Sequence, residues 1–122
     1  MLHYRETIVW RKAMDMAKEV YGLMPCLPRE ETYGMRAQVT RSAVSVAANV
    51  AEGWARESDK ERGQFLAIAQ GSLAETDTYI TLCEELEWMP VERTARVRAL
   101  MTEVGRMLST LRTRNRAAGP RK

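Results

Sequence analysis

An all-α fold, arranged as an antiparallel up-down-up-down four-helix bundle, is expected for this chain on three grounds. Apolar residues recur at intervals of three and four in four successive blocks, which places them on one face of a helix. β signals are scarce, with no Asn-Gly or Asp-Gly pair and no sustained alternation of apolar and polar residues. The joints between the blocks are short, which sets consecutive helices antiparallel. A length of 122 residues gives room for one domain, and 45% hydrophobic with 29% charged residues is the balance of a globular chain.

The first helix carries Trp10, Ala13, Ala17, Val20, Tyr21 and Met24 on its apolar face. It should stop there, because Pro25 disfavours helix at Met24 and Pro28 has no amide to donate. The second is expected to begin after Pro28 with Arg29, Glu30 and Glu31, acids that suit the positive end of a helix dipole. It should run to about Trp54, with Gly53 as terminator. The third opens at Ser58-Asp59-Lys60-Glu61, a capping-box pattern, and continues through Phe65, Ala69, Ser72, Thr76, Tyr79, Cys83 and Leu86. The fourth starts near Pro90, a good first-turn residue, and shows Val97, Leu100, Met101, Val104, Met107, Leu108 and Leu111. A single bundle domain over residues 1–111 is therefore expected, followed by a basic, flexible C-terminal tail over residues 112–122.

The formal charge of +3 says little until it is divided along the chain. From Gly105 onward there are six basic residues (Arg106, Arg112, Arg114, Arg116, Arg121 and Lys122) and no acid. The preceding 104 residues hold 13 of the 19 basic groups and all 16 acidic ones. A mildly acidic body thus carries a strongly basic end. Such an end either solubilises the terminus or contacts phosphates or an acidic protein.

The second helix departs from simple amphipathicity. Val39, Ala43, Val46, Val50 and Trp54 form one apolar stripe. A second stripe, Gln38, Ser42, Ser45, Asn49 and Glu52, keeps steps of four, three, four and three but is polar and compact. Ser and Asn lose helix propensity, so something should offset them. The third helix offers Ser72, Glu75 and Tyr79 on one face, with Gly71 and Ala74 adding little bulk for a close approach. Arg41 could pair with Glu75 or Glu52. Three readings of this polar seam compete. One is a hydrogen-bond network fixing register within or between chains, the second a ligand or RNA surface, and the third a catalytic site. The first is favoured, since polar groups inside bundles most often specify packing.

The run from Arg41 to Gly53, Arg41-Ser42-Ala43-Val44-Ser45-Val46-Ala47-Ala48-Asn49-Val50-Ala51-Glu52-Gly53, resembles the signature of the bacterial four-helix-bundle family also called the 23S rRNA intervening-sequence protein family. Trp10-Arg11-Lys12-Ala13 is similar to its first-helix motif. Pro28-Arg29-Glu30-Glu31-Thr32-Tyr33-Gly34 and Phe65-Leu66-Ala67-Ile68-Ala69-Gln70-Gly71-Ser72-Leu73-Ala74-Glu75 are similar to its second- and third-helix motifs. The resemblance covers about residues 4–90. It implies an antiparallel four-helix bundle and a homopentamer. It also implies kinship in fold with the accessory protein of diversity-generating retroelements, which binds nucleic acid. The family name gives a genomic location rather than an activity.

Other chemistry finds little support. His3 is the one histidine, and Cys26 and Cys83 lack any C-x-x-C spacing, so no metal or cofactor is expected. The seven glycines form no phosphate loop, and no nucleophile–base pair stands out. The methionines read as core filler. No apolar run is long enough to span a bilayer, and Met1-Leu2-His3-Tyr4-Arg5-Glu6 lacks a signal core, so a cytoplasmic location is expected. The expected function is a non-enzymatic oligomeric module binding RNA or DNA. Its contacts would be Arg106, Arg112, Arg114, Arg116, Arg121 and Lys122, backed by Arg93, Arg96 and Arg98 on the fourth helix. The alternative is a scaffold that docks a partner polypeptide. A small-molecule or catalytic site at Arg41, Glu52 and Glu75 ranks last.

Overall fold

The computed structural model describes residues 3–118. Four helices form an antiparallel bundle, and no strand occurs among the described residues. Helix α1 spans Ile8–Leu23. A 3-10 turn at Tyr4–Glu6 precedes it, and the Thr7 hydroxyl accepts the Trp10 amide at 3.3 Å to cap its first turn. Val9, Ala13, Met16, Ala17, Val20 and Leu23 face the core. Tyr21 does not: it is 56% exposed, because it sits one residue beyond Val20 and so about 100° around the helix. The helix stops as expected at Met24–Cys26, a 3-10 turn containing Pro25.

Helix α2 spans Met35–Trp54 and begins later than the sequence pattern indicates. Arg29–Glu31 forms a separate 3-10 turn. The Glu31 carboxylate accepts the Met35 amide at 3.0 Å, so this acid caps α2 from outside rather than lying in its first turn. Helix α3 spans Asp59–Glu85. Ser58 Oγ accepts the Glu61 amide at 3.1 Å, but the Glu61 carboxylate meets the Ser58 hydroxyl rather than its amide, so only half of the capping box forms.

Helix α3 ends in a Schellman turn. Trp88 N–H donates to Cys83 O and Glu87 N–H to Glu84 O, each at 2.9 Å. The left-handed position is held by Glu87, at φ 63°, where glycine is usual. Helix α4 then spans Val91–Ala118, with the Pro90 carbonyl accepting Arg93 N–H at 2.9 Å. The expected boundary at residue 111 is therefore no break: residues 112–118 continue the helix. Asn115 Nδ2 donates to Asp59 O at 2.7 Å and ties these turns to α3. Arg and Ala in this stretch are good helix formers, which charge counting alone overlooks.

Each helix packs against two neighbours, α2 and α4 against α1 on one side and against α3 on the other. Lys12–Glu103 at 3.1 Å and Glu19–Arg96 at 3.5 Å bridge α1 and α4 in antiparallel order. The core is closed by Met16, Leu66, Ile80, Met89 and Leu108 with Val20, Val39, Val46, Val50, Val97 and Val104, each almost fully withdrawn from water.

Candidate functional site

The polar seam is a hydrogen-bonded ladder between α2 and α3 of one chain. Asn49 Nδ2 donates to Ser45 O at 2.8 Å and to Ser45 Oγ at 2.9 Å. Ser45 Oγ and Ser72 Oγ share a bond of 2.8 Å. Thr76 Oγ1 lies 2.9 Å from both Ser42 Oγ and Ser72 O, and Ser42 donates onward to Val39 O at 3.1 Å. Ser42, Ser72 and Thr76 are buried, while Ser45 and Asn49 are half-buried. At the rim, Tyr79 OH reaches Gln38 Oε1 at 3.5 Å. Each hydroxyl is used by another group, which is how such groups are carried inside a bundle. Thr76, which the sequence pattern places among apolar positions, is the hub. Its spacing of four from Ser72 was the available signal.

The charged ends of the seam do not converge. Arg41 and Glu75 are exposed and make no ion pair among the described residues. Glu52 pairs with Arg56 at 2.8 Å, one turn further on. The expected pairing of Arg41 with Glu52 or Glu75 is not formed, and no constellation for catalysis is assembled from the three.

The close helix approach also lies elsewhere than expected. Gly71 is exposed, and a Cβ there would meet nothing within 4 Å. Gly53 is buried, and its Cβ would stand 3.1 Å from Phe65 Cβ. Around it, Arg62 donates from Nε to Gly53 O at 3.3 Å and from Nη2 to Arg56 O at 3.2 Å, closing the C-terminus of α2. The Arg56 guanidinium lies 4.8 Å from the Phe65 ring centre and that of Arg62 5.6 Å from the Trp54 ring.

The arginines of α4 divide into two groups. Arg98 is held by acids of α3: Nε donates to Glu84 Oε2 at 3.0 Å, Nη1 to Asp77 Oδ1 at 2.9 Å and Nη2 to Thr81 Oγ1 at 2.9 Å. These bonds hold the Glu84 carboxyl below its ordinary range, with the Thr94 hydroxyl adding to the effect, and raise the Arg98 guanidinium above its own. Expected among the phosphate contacts, Arg98 is instead a clamp between α3 and α4. Arg96 pairs with Glu19, and Arg112 donates to Gln70 Oε1. Arg93, Arg106, Arg114 and Arg116 are exposed and have no acidic partner among the described residues. Arg121 and Lys122 lie outside the described residues.

Two further surfaces are apolar. Trp10, Met14 and Tyr21 of α1 with Val44, Ala47 and Ala48 of α2 line an open apolar groove. Ile68 and Leu82 of α3 and Leu86 just beyond its end are 50%, 41% and 46% exposed. Among the described residues, no group of three or more His, Cys, Asp or Glu is placed to hold a metal ion. Burial, with the Glu31 and Glu84 carboxylates adding to it, pushes the Cys83 thiol up to about 11. No helix among the described residues is long and apolar enough to cross a membrane.

Comparison with known proteins bears on the fold. The chain is similar to a solved structure from Bacteroides thetaiotaomicron, a protein of unknown function from the S23 ribosomal protein family. The TM-score is 0.79 at 24% identity, over 86% of this chain and 98% of that one. No curated protein matches it. The family profile described as 23S rRNA-intervening sequence protein matches residues 5–110, a span that takes in the seam, the Gly53 joint and the Arg98 clamp, and the chain belongs to that family.

Proposed function

We propose that this protein is a non-catalytic, oligomeric binding module of the cytoplasm that engages RNA or DNA through phosphate contacts. The observation that carries this reading is the C-terminal part of α4, where Arg106, Arg114 and Arg116 stand exposed without acidic partners. No acid follows Glu103, so nothing on the same stretch competes for them. Each such cation that meets a phosphate releases condensed counterions, giving affinity that is steep in salt and poor in sequence preference. Arg112, and by sequence Arg121 and Lys122, add to the same field. Arg98 is left out of the contact set because two carboxylates already hold it.

Assembly is supported by the apolar groove between α1 and α2, together with the homopentamer implied by the family resemblance. Tyr21 and Val44 are 56% and 44% exposed there, so the groove offers an apolar face that a second copy could cover. The same groove favours the second reading, a scaffold docking a partner polypeptide. Solution mass, together with titration of a structured RNA at 50 and 200 mM salt, separates the two. Tight binding that weakens steeply with salt supports the first. No binding at low salt removes it and leaves the scaffold.

A further inference from the structure

The bundle sorts charge along its axis. Its topology gathers the Tyr4–Glu6 turn, the α2–α3 joint and the last turns of α4 at one end, and the α1–α2 and α3–α4 joints at the other. Residues 3–11, 52–64 and 106–117 at the first end hold nine basic and five acidic groups. Residues 19–36 and 79–96 at the second end hold four basic and seven acidic groups. Local pairing takes up groups at both ends, Arg11 with Asp15 at the first and Glu84 with Arg98 at the second. At the basic end Glu6 accepts His3 N–H at 3.0 Å, Glu52 pairs with Arg56, and Glu61 takes the Ser58 hydroxyl. At the acidic end Arg96 is paired with Glu19, and Arg36 donates to Leu27 O.

The arginines of α4 form no single stripe. Arg112 and Arg116 are one turn apart and face α3, whereas Arg114 lies on the opposite side of the helix, on the α1-facing line of Arg96 and Glu103. A strand laid along α4 would meet few of them. At the bundle end they come together. There Lys60, Arg112 and Arg116 line one groove between the first turns of α3 and the last described turns of α4, with Ser58, Gln64 and Asn115 as its neutral polar residues and Glu57 and Asp59 as its acids. Gly63 lets the two helices meet: a Cβ there would stand 2.8 Å from Asn115 Nδ2, the atom that ties α4 to Asp59 O.

We infer that the basic end of the bundle is the phosphate-binding face, and that a nucleic-acid strand lies across it in the groove of Lys60, Arg112 and Arg116, flanked by Arg114 and Arg5. This rests on the proposed nucleic-acid reading and narrows it. It adds Lys60 and Arg5 to the contacts and removes Arg93 and Arg96, which stand at the acidic end.

The test uses the full chain and a fluorescein-labelled single-stranded RNA, with anisotropy titrations from 50 to 200 mM salt. One variant carries Lys60→Gln, Arg114→Gln and Arg116→Gln; the other carries Arg93→Gln and Arg96→Gln. Loss of three single-strand phosphate contacts lowers the salt slope by about 2, so across this fourfold salt range wild type should lose roughly 20-fold more affinity than the basic-end variant. The acidic-end variant should titrate as wild type. Should circular dichroism show the triple variant unfolded, Lys60→Gln and Arg116→Gln are measured singly, each with a slope reduced by about 0.7. If wild type binds and the basic-end variants keep its slope, or both ends lose equally, the end-on site is wrong while nucleic-acid binding stands. If wild type fails to bind at 50 mM salt, the nucleic-acid reading itself falls.

Discussion

Replacing Thr76 by valine tests what holds α2 against α3. The side chain is 0% exposed, and Oγ1 lies 2.9 Å from both Ser42 Oγ and Ser72 O. Valine keeps the shape and fills the same space, so no cavity term enters. What is lost is one net hydrogen bond between neutral groups, about 1 kcal/mol, together with a partner for the buried Ser42 hydroxyl. Ser42 still donates to Val39 O at 3.1 Å, which limits the damage. Thr76→Val should therefore cost about 1 kcal/mol, a melting shift of about 4 °C for a chain of this size. Ser42→Ala should cost less, because Thr76 then turns its proton to Ser72 O. The double variant should lose less than the two singles together, leaving a coupling of about 0.5–1 kcal/mol. Urea unfolding followed by circular dichroism, at one fixed protein concentration so that assembly does not move the midpoint, gives all three numbers. A valine variant as stable as wild type, or strictly additive singles, would refute the ladder as a register device.

Two further outcomes follow from the backbone and from charge. Gly71→Ala, in an exposed helix interior with free space around it, should stabilise the protein by about 0.5–1 kcal/mol, whereas Gly53→Ala should destabilise it, its Cβ standing 3.1 Å from Phe65 Cβ; the same urea curves report both. The Glu84 carboxyl is held below its ordinary range chiefly by the Arg98 hydrogen bond. Its contribution is thus complete above the unfolded carboxylate value of about 4.3 and is lost as pH falls through the lower folded value. Glu84→Gln should lower stability at neutral pH and flatten the acid limb of the urea midpoint measured from pH 6 to pH 3; an unchanged limb would show that the clamp is not coupled to folding.

Helix existence was legible because burial repeats at helical spacing, as Val39, Ala43, Val46 and Val50 show by reaching the core together. Boundaries were less so. The start of α2 depends on the Glu31 carboxylate capping Met35 across Gly34, a tertiary detail that a run of acids after a proline does not reveal. The last described turns of α4 are tied to α3 by Asn115 meeting Asp59 O, a contact 56 residues apart in sequence. The polar stripe on α2 announced a seam, since Ser and Asn in a helix require compensation. Its hub, Thr76, reads as β-branched and apolar until Ser42 is set opposite. Arg98 illustrates the converse failure. In a charge count it equals Arg106, yet one is bound by Glu84 and Asp77 and the other is exposed. Charge counts read composition, whereas availability is decided by which acids the fold places nearby.

Small polar side chains and larger apolar ones occupy different faces of the bundle. Where α2 meets α3, Ser42, Ser45, Ser72 and Thr76 satisfy one another, so small hydroxyls join the two helices without long side chains. Apolar side chains stand exposed on two other faces: Tyr21 and Val44 on one, Ile68, Leu82 and Leu86 on another. These two faces differ, so contact between them would be heterologous, and heterologous contacts generate rings or open fibres rather than closed dimers. In a ring with parallel bundle axes, each subunit would bring its basic end to the same rim. Under the proposed function, assembly and phosphate binding are then coupled by geometry alone. Substituting Tyr21→Glu to break the apolar face should lower the solution mass and the RNA affinity together, while leaving the single-chain charges of α4 untouched.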